Sequence, residues 1–301
     1  MRIDLSNGHK VVVKKNLNNY PDLFRIEAEA LKVLRETVDR LKKSDQLRIP
    51  KPIAYYDKKS TDENLGENPD EKNAYSYLIM EYLPPALERH NQYRSSKSSS
   101  SENPYFLLGK SLAAIHQDQV EKNYGWKEDN YLGSTIQTNK AEGDEKHLWS
   151  AFFLKKRITP LVEKCLEKRL LSKADETLVS RCISTGYKLL SPLDEDRPSL
   201  VHGDMWGGNV FISSHPTNKN ALPCLIDPAL HYGHREVDIA MSELFGRLDE
   251  NFYKSYQEAY PLKKGYELRR DFHNLYHLLN HLLLFGGSYH TSVIATLKKY
   301  A

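Results

Sequence analysis

The chain has few cysteines, and none of its apolar runs is long. Among 301 residues there are three cysteines, Cys165, Cys182 and Cys224, and they lack the CxxC spacing of zinc sites. This small, odd set argues against a disulfide scaffold and is typical of a reducing compartment. The longest apolar run, LLNHLLLFGG, is too short to cross a bilayer, and the N-terminal MRIDLSNGHK lacks the apolar core of a secretion signal. These absences predict a cytoplasmic protein, with a nuclear location as the alternative, and no membrane partner.

The chain also lacks an excess of charge of either sign. It has 43 basic and 40 acidic residues and a formal net charge of +3, so its overall field does not favour nucleic acid as a partner. Hydrophobic residues make up 40% and charged residues 28%, which is typical of a soluble globular protein. A chain of this length is expected to form one large or two moderate domains.

The first part of the chain is predicted to be rich in β-structure. Asn7-Gly8 is a strong two-residue turn signal between two extended runs, so residues 1–16 are expected to form a hairpin. A helix is expected from Pro21, placed in its first turn, to Lys43, because apolar residues recur there at helical spacing. The runs KPIAYYDKK and YSYLIMEYL then read as two further strands.

A Ser-rich, low-complexity stretch separates this part from a mostly helical remainder. Residues 93–104 contain RSSKSSSSENP, a composition that does not form a packed core. Helical patterns dominate the chain beyond it, interrupted by a short strand in PCLIDP. The sequence therefore predicts an α+β protein with a small β-rich lobe (1–92), a flexible segment (93–104) and a larger helical lobe (105–301).

The stretch LVHGDMWGGNVFI contains the residues with the strongest chemical signal. Four residues separate Asp204 from Asn209, the interval found in the protein-kinase catalytic loop. There the Asp orients the attacking hydroxyl and accepts its proton, while the Asn holds a magnesium ion. Taken alone, the pattern fits a catalytic loop and a simple turn between strands equally well.

Asp227 favours the first of these two interpretations. It ends the apolar run CLID eighteen residues after Asn209, the place of the metal-binding Asp in kinases. Carboxylate and amide oxygens suit Mg²⁺ bridging the phosphates of ATP. The sequence reads IDP where protein kinases have DFG, so their Phe-based switch is absent.

Kinases also need a strand Lys held by a helix Glu. Lys14 and Lys15 end the strand VVVKKN, and the following helix offers Glu27 and Glu29. Glu27 is in line with the apolar stripe, where a charge requires a partner, and Glu29 is on another face. We expect Lys14 to pair with Glu27. Lys15 is the alternative partner, and a pair of unrelated surface charges is the other interpretation.

The interval between Asp227 and Asp238 is short. A protein kinase uses a long segment here to hold a peptide, whereas this chain has only PALHYGHREV. The short segment favours a small acceptor, or a small chemical group displayed on something larger. Asp238 is expected either to accept backbone N–H groups of the catalytic loop or simply to begin a helix.

Four blocks together resemble the fructosamine kinase (ketosamine 3-kinase) family: HGDMWGGN, LIDPALHYGHREVDIAM, YGWKEDNYLGSTIQTN and NLYHLLNHLLLFGGSY. That family is related to aminoglycoside and choline phosphotransferases. The resemblance implies a bilobal protein-kinase-like fold whose N-terminal lobe binds the nucleotide. It also implies ATP- and magnesium-dependent phosphorylation of the sugar 3-hydroxyl of ribulosamine or fructosamine adducts, on small ketoamines or on the lysines of glycated proteins. The product is unstable and releases the amine, so the implied role is deglycation.

The resemblance also assigns roles to individual residues. It implies that Asp204 is the catalytic base and that Asn209 and Asp227 are magnesium ligands. It implies that Lys14, with Glu27, lies at the ATP phosphates, and that the adenine is bound at Glu81, Tyr82 and Leu83. Near the acceptor it places Trp206, Asp129 and Asn130, and as structural support it implies His202, His234, Arg235 and Asp238.

Two departures from the family pattern keep other functions open. The family has a further strand and a Gly-rich turn over the phosphates ahead of the strand that matches MRIDL, and Ile136 stands where it usually has Pro. The first departure indicates a start that lies upstream, a nucleotide bound with fewer contacts, or impaired activity. The alternative functions are therefore a phosphotransferase for an aminoglycoside or choline-like alcohol, and an impaired, nucleotide-binding pseudokinase.

Overall fold

The computed structural model describes residues 1–6, 8, 10–17, 20–43, 46–58, 75–86, 103–118, 120–214 and 221–301. The chain divides into two compact units, and neither is continuous in sequence. The first unit takes in residues 1–112, 208–228 and 249–256, and the second takes in residues 113–207, 229–248 and 257–301. The segment 93–104 assigned as flexible falls almost entirely outside the described residues, so the domain limits drawn from the sequence stay a prediction.

Pairs of strands alternate with single helices in the first part of the chain, and four further strands lie between helices in the second part. In the described residues the strands are β1 (Arg2–Asp4), β2 (Lys10–Asn16), β3 (Pro52–Tyr56), β4 (Ser76–Glu81), β5 (Asn130–Leu132), β6 (Thr135–Gln137), β7 (Ser199–Val201), β8 (Val210–Ser214), β9 (Ala221–Leu225) and β10 (His231–Gly233). The helices are α1 (Leu23–Arg40), α2 (Pro104–Gln117), α3 (Trp149–Phe153), α4 (Thr159–Glu167), α5 (Glu176–Leu190), α6 (Glu236–Leu244), α7 (Glu250–Ala259), α8 (Tyr266–Phe285) and α9 (His290–Tyr300).

The first unit contains a four-stranded antiparallel sheet in the order β1-β2-β4-β3. The predicted N-terminal hairpin is confirmed, with Arg2 opposite Val12 and Asp4 opposite Lys10. Gly8 adopts a left-handed φ of 81°, as its turn requires, while Asn7 lies outside the described residues. A second antiparallel pair, β8 with β9, belongs to the same unit.

Helix α1 begins later than the sequence predicts. Pro21 precedes the helix, so its placement in the first turn is wrong, and Asp22 at the N-cap makes no side-chain cap. The first backbone N–H groups are instead satisfied by Asp57, whose carboxylate accepts hydrogen bonds from Phe24 N (2.9 Å) and Arg25 N (2.8 Å). The start of the helix is therefore fixed by a residue beyond the end of β3, which local sequence patterns do not report.

The second unit is mainly helical. Helices α3 and α4 are joined without a break by a π-helical turn at Leu154–Ile158. The core of this unit is aromatic-rich, with Trp149, Phe152 and Phe272 fully buried. Two short antiparallel pairs, β5–β6 and β7–β10, complete it. Across the residues that the structure describes, no helix combines the length and apolar character needed to cross a membrane.

The three cysteines are buried and are not joined by disulfides. Burial raises the pKa of the Cys165 thiol to about 11 and those of Cys182 and Cys224 to about 12. The thiols are therefore protonated at neutral pH and pack as small apolar side chains.

Candidate active site

A cluster of three charged side chains lies in the first unit. Lys14 on β2 donates hydrogen bonds to Glu27 of α1 (Nζ–Oε1, 2.7 Å) and to Asp227 beyond β9 (Nζ–Oδ1, 2.9 Å). Successive side chains of a strand point to opposite faces, and Lys15 accordingly lies elsewhere, with its Nζ 5.4 Å from the centre of the Tyr75 ring. Of the two lysines, Lys14 is thus the one that meets Glu27.

The ion pairs determine the charge of this cluster. Burial alone lowers the pKa of Lys14, but Glu27 and Asp227 outweigh it and the net pKa is raised. Burial raises the pKa of Glu27, and the attraction of Lys14 opposes that rise. Lys14 is consequently a fixed cation at neutral pH. The side chain of Asp227 is 41% exposed, so this carboxylate has an open face toward solvent.

Asn209 and Asp227 flank the same end of the β8–β9 ladder. Val210 is opposite Leu225, and the next step of the ladder is a hydrogen bond of 3.1 Å from Ile226 N to Asn209 O. Asp227 follows directly with a left-handed φ of 56°, an uncommon conformation for a residue with a side chain. The pairing of two strands therefore brings an amide and a carboxylate, eighteen residues apart, to one edge.

This donor set fits magnesium. Mg²⁺ prefers oxygen ligands and is typically held by one or two carboxylates together with substrate phosphates. Among the residues that the structure describes, no three or more His, Cys, Asp or Glu side chains cluster as a metal site. Asn209 and Asp227 thus offer part of a coordination shell, of the kind that nucleotide phosphates complete.

Asp238 holds the loop that carries Asp204 in the second unit. From the first turn of α6 its carboxylate accepts hydrogen bonds from His202 N (2.7 Å) and Gly203 N (2.9 Å), and His116 Nε2 lies 3.2 Å from Oδ2. Burial tends to raise the pKa of Asp238, but these partners, with His116 foremost, lower it. The sequence left two roles open for Asp238. The residue braces the loop, and it does so from within the first turn of α6, whose N-cap is Arg235.

Glycine is required immediately before Asp204. Gly203 has a φ of 80°, and a Cβ at this position would lie 2.2 Å from Ala229 O. Asp204 is only half-buried, and its backbone N–H donates to Nδ1 of the buried His202 (3.3 Å). The loop therefore presents the Asp204 carboxylate directly after a stretch of backbone that is tightly held.

Trp206 belongs to an aromatic cluster that the sequence did not reveal. Its ring meets Phe245 edge-on at 6.0 Å, and Phe245 in turn packs on His281 of α8 at 4.6 Å. Tyr289 closes the group, with its ring centre 5.0 Å from that of His281. His281 and Tyr289 fall within the NLYHLLNHLLLFGGSY block. That block was the one sequence signal that could have indicated these partners of Trp206.

Asn130 is buried and hydrogen-bonded, whereas its neighbour Asp129 is exposed. The Asn130 amide donates to Leu230 O (2.8 Å) and accepts from Gln137 and Asn139 (2.8 Å each). Asp129 is exposed and accepts the backbone N–H of Asn139 (2.8 Å). Asn130 therefore ties β5, β6 and the segment before β10 together.

This network extends to residues that sequence reasoning missed. Tyr276 of α8 donates to Gln137 Oε1 (2.9 Å), and the buried Arg157 donates to Asn139 Oδ1 (2.6 Å). Burial raises the pKa of Tyr276 to about 12, and Asp204 adds to the rise, so the phenol stays protonated. The Asp204 carboxylate and the Tyr276 phenol are thus close enough to interact electrostatically.

His234 and Arg235 hold neighbouring loops in place. His234 Nε2 lies 3.0 Å from Asp196 Oδ2. Arg235 donates to Tyr260 O (2.9 Å) and to Pro261 O, and its guanidinium lies 3.7 Å from the centre of the Tyr260 ring. Both side chains are engaged with protein groups.

The three residues assigned to the adenine lie at the end of β4 and directly after it. The Glu81 carboxylate accepts from Arg35 (3.3 Å) and Arg48 (3.2 Å), so its side chain is held by the first unit. The Arg2 guanidinium lies 5.6 Å from the centre of the Tyr82 ring, and Leu83 is buried.

The whole chain is similar to one protein family. The fructosamine kinase family model matches residues 2–301. A probable ketoamine kinase of Vibrio vulnificus is 33% identical over 288 residues, which cover 95% of this chain and 83% of the relative. The chloroplastic protein-ribulosamine 3-kinase of Arabidopsis thaliana is 32% identical over 295 residues, covering 96% and 75% respectively.

Solved structures show the same relationship. A Thermobifida fusca protein named as a fructosamine-3-kinase superposes with a TM-score of 0.74 at 26% identity, covering 99% of this chain and 88% of that one. The gentamicin complex of the aminoglycoside phosphotransferase APH(2″)-IIa superposes with a TM-score of 0.58 at 15% identity, covering 96% and 84%, a likeness of fold alone. The expected kinase-like α+β fold is confirmed, and the chain, a phosphotransferase, belongs to the fructosamine kinase family.

Proposed function

We propose that the chain is an ATP- and magnesium-dependent ketosamine 3-kinase. It phosphorylates the sugar 3-hydroxyl of ribulosamine or fructosamine adducts, both on small ketoamines and on protein lysines. The observation that carries the proposal is the Lys14–Glu27–Asp227 cluster beside Asn209, in a chain that matches the fructosamine kinase family over residues 2–301.

The first unit supplies the groups for the nucleotide. Lys14 is a cation already aimed at Asp227, and Glu27 fixes it in that direction. Lys14 would donate to the phosphates of bound ATP. Asn209 and Asp227 would hold magnesium, whose charge would offset that of the phosphates. The backbone at Glu81 and Leu83 hydrogen-bonds the adenine, with Tyr82 between them.

The second unit supplies the base. Asp204 accepts the proton of the 3-hydroxyl as the hydroxyl oxygen attacks the γ-phosphorus. The bond from that phosphorus to the β,γ-bridging oxygen breaks, and ADP leaves. Asp238 and Gly203 keep the carboxylate in position, and His202, His234 and Arg235 support the surrounding loops.

The acceptor is proposed to be a sugar attached to an amine. The aromatic cluster of Trp206, Phe245, His281 and Tyr289 offers flat apolar faces of the kind that line small-ligand sites. We assign the exposed Asp129 to contact with the acceptor and the buried Asn130 to support of the acceptor region through its bonds to Leu230 and Gln137. The 3-phosphate product releases the amine, so the biological outcome is deglycation.

A transfer assay tests this function. The protein is incubated with γ-labelled ATP, Mg²⁺ and either ribulosyl-lysine or fructosyl-lysine, with plain lysine as the control. We expect phosphate transfer to the ketoamines alone and regeneration of free lysine afterwards. Intact ATP binding, measured by a thermal shift, without transfer to either ketoamine would refute the proposal. Transfer to an aminoglycoside or to a choline-like alcohol instead would favour the alternative small-molecule activity.

A further inference from the structure

A concave site lies in the second unit, and none of the groups assigned to phosphoryl transfer lines it. It is a cavity of about 400 Å³ with aromatic walls formed by Tyr124, Trp126 and Tyr232. The rings of Trp126 and Tyr232 lie 5.4 Å apart, with 30° between their planes. This volume is within the range of sites that hold a small molecule or a few side chains of a peptide.

The walls of this cavity are rigidly held. Gly125 and Tyr232 exchange two backbone hydrogen bonds of 2.8 Å each. Gly125 has a φ of 106°, and a Cβ there would lie 2.1 Å from Asn139 O, so the close approach of these segments requires glycine. Tyr124 is anchored through its hydroxyl, which donates to Asp196 O (3.0 Å). A ligand would therefore meet a preformed surface.

The charge at this cavity is positive. Lys127, Lys140 and Lys146 line it and are exposed, and Glu121 is the acidic residue among its lining. Aromatic walls combined with exposed lysines fit an apolar or aromatic side chain flanked by carboxylates. The ring faces bury the apolar part, and the ammonium groups attract the carboxylates.

The position of Tyr232 along the chain sets how far this cavity lies from Asp204. Tyr232 is the direct partner of Leu200 in the β7–β10 pair, and Leu200 precedes Asp204 by four residues. Four residues span at most about 14 Å, and paired strands lie about 5 Å apart, so Asp204 is within about 20 Å of Tyr232. An extended peptide of about six residues covers that distance.

We propose that this aromatic–lysine pocket binds an acidic, aromatic-containing polypeptide segment of the glycated protein, within about six residues of the modified lysine. The inference rests on the proposed ketosamine 3-kinase function and assigns it a protein-docking site. It predicts a preference among glycated lysines that depends on neighbouring sequence as well as on the sugar.

The test compares substrates that differ only outside the sugar. They are free ribulosyl-lysine, a ribulosylated peptide with Phe and two Glu residues about six positions from the adduct, and the same peptide with Lys in place of both Glu. The variant is Lys140→Glu/Lys146→Glu. The matched control is Lys168→Glu/Lys298→Glu, a double reversal at two exposed positions of the second unit outside the pocket lining. Circular dichroism and thermal unfolding check that each variant folds.

For the wild type we expect the acidic peptide to be used with a kcat/KM about tenfold above that of the basic peptide. The Lys140→Glu/Lys146→Glu variant should lose that preference because its KM for the acidic peptide rises. Its kcat/KM for free ribulosyl-lysine should stay within about twofold of the wild-type value. Equal kcat/KM for the two peptides in the wild type, or an equal loss on free ribulosyl-lysine in the variant, would overturn the proposal.

A binding arm separates this inference from the proposed function. The unglycated acidic peptide is titrated into the wild-type protein and the double variant by calorimetry. If the wild type phosphorylates no ketoamine, the proposed function fails, and peptide binding that is lost in the variant still supports the pocket. Absence of peptide binding to the wild type, or binding of free phenylpropionate in preference to the peptide, overturns the pocket assignment.

Discussion

Lys14 and Lys15 are neighbours in the sequence, but the pleat of β2 sends their side chains to opposite faces of the sheet. Lys14 reaches Glu27 and Asp227, while Lys15 lies over Tyr75. The two positions therefore provide a matched pair of variants with the same change of charge at almost the same place in the chain.

Lys14→Met is expected to lower kcat/KM for ATP by about 100-fold, because it removes a fixed cation from the phosphates and leaves Glu27 and Asp227 without their shared partner. Lys15→Met should stay within about threefold of the wild type. Steady-state kinetics at varied ATP concentration check both values. Similar losses in the two variants would show that Lys14 has no special role.

Asp204→Asn is expected to lower kcat by about 100-fold or more, because the amide cannot accept the proton of the hydroxyl. The change is nearly isosteric at a half-buried side chain, so the melting temperature and the affinity for ATP should change little. Activity is measured by ADP release and affinity by calorimetry. A variant that retains more than a tenth of the wild-type kcat would remove Asp204 from the role of base.

The helix and the loop that carry Glu27 and Asp204 are held by residues distant in the sequence. The start of α1 is satisfied by Asp57 beyond the end of β3, and the loop before β8 is held by Asp238 of α6. Glycine at position 203 permits the loop to pass close to Ala229 while its backbone N–H donates to Asp238. The loop is thus a rigid support for Asp204.

Gly203→Ala tests that rigidity. A side chain at φ 80° costs about 1–2 kcal/mol by itself, and the contact with Ala229 O adds to this cost. We expect the free energy of unfolding to fall by about 3 kcal/mol, measured in urea. Gly207→Ala in the same loop is the control, since a Cβ there meets only Leu248 at 4.0 Å and stability should change by less than about 1 kcal/mol. Equal effects at both positions would contradict a strained loop at Gly203.

At the scale of the whole molecule, the second unit has an interior with several neutral histidines. Burial lowers the pKa of His231 and of His277 to about 3, with Arg157 and His281 as the next contributors respectively. Burial likewise lowers the pKa of His116, despite Asp238, and of His273. An unfolded histidine titrates near 6.5, so between pH 6.5 and 3 the unfolded chain binds protons that the folded chain does not.

Stability should therefore fall as the pH is lowered. Each of His231 and His277 is expected to remove about 1.4 kcal/mol from the free energy of unfolding between pH 7.5 and 5.5. Urea unfolding at a series of pH values checks this. His277→Gln should reduce the loss by about one histidine's share, whereas His147→Gln, at an exposed position, should not. A free energy of unfolding that is constant over this range would contradict the prediction.

Much of the fold was predictable because local patterns carry it. Asn7-Gly8 indicated the hairpin, the apolar stripe through Leu31 and Leu34 indicated α1, and the Ser-rich stretch marked a change to helical sequence. The start of α1 was not predictable because its cap comes from a distant strand end. The gathering of three separate segments into each unit was not predictable either, because those segments meet only through tertiary contacts.

For the candidate site, the sequence alone determined which residues the proposed chemistry is assigned to. Residue type and spacing gave the Asp204–Asn209 interval, the later Asp227 and the choice of Glu27 on the apolar stripe, because such patterns depend on neighbours within a few turns of chain. Only the tertiary structure decided between Lys14 and Lys15, gave Asp238 its two loop amides, assembled Phe245 and His281 around Trp206, and opened the aromatic–lysine pocket. These contacts join residues far apart in sequence, and their geometry comes from packing.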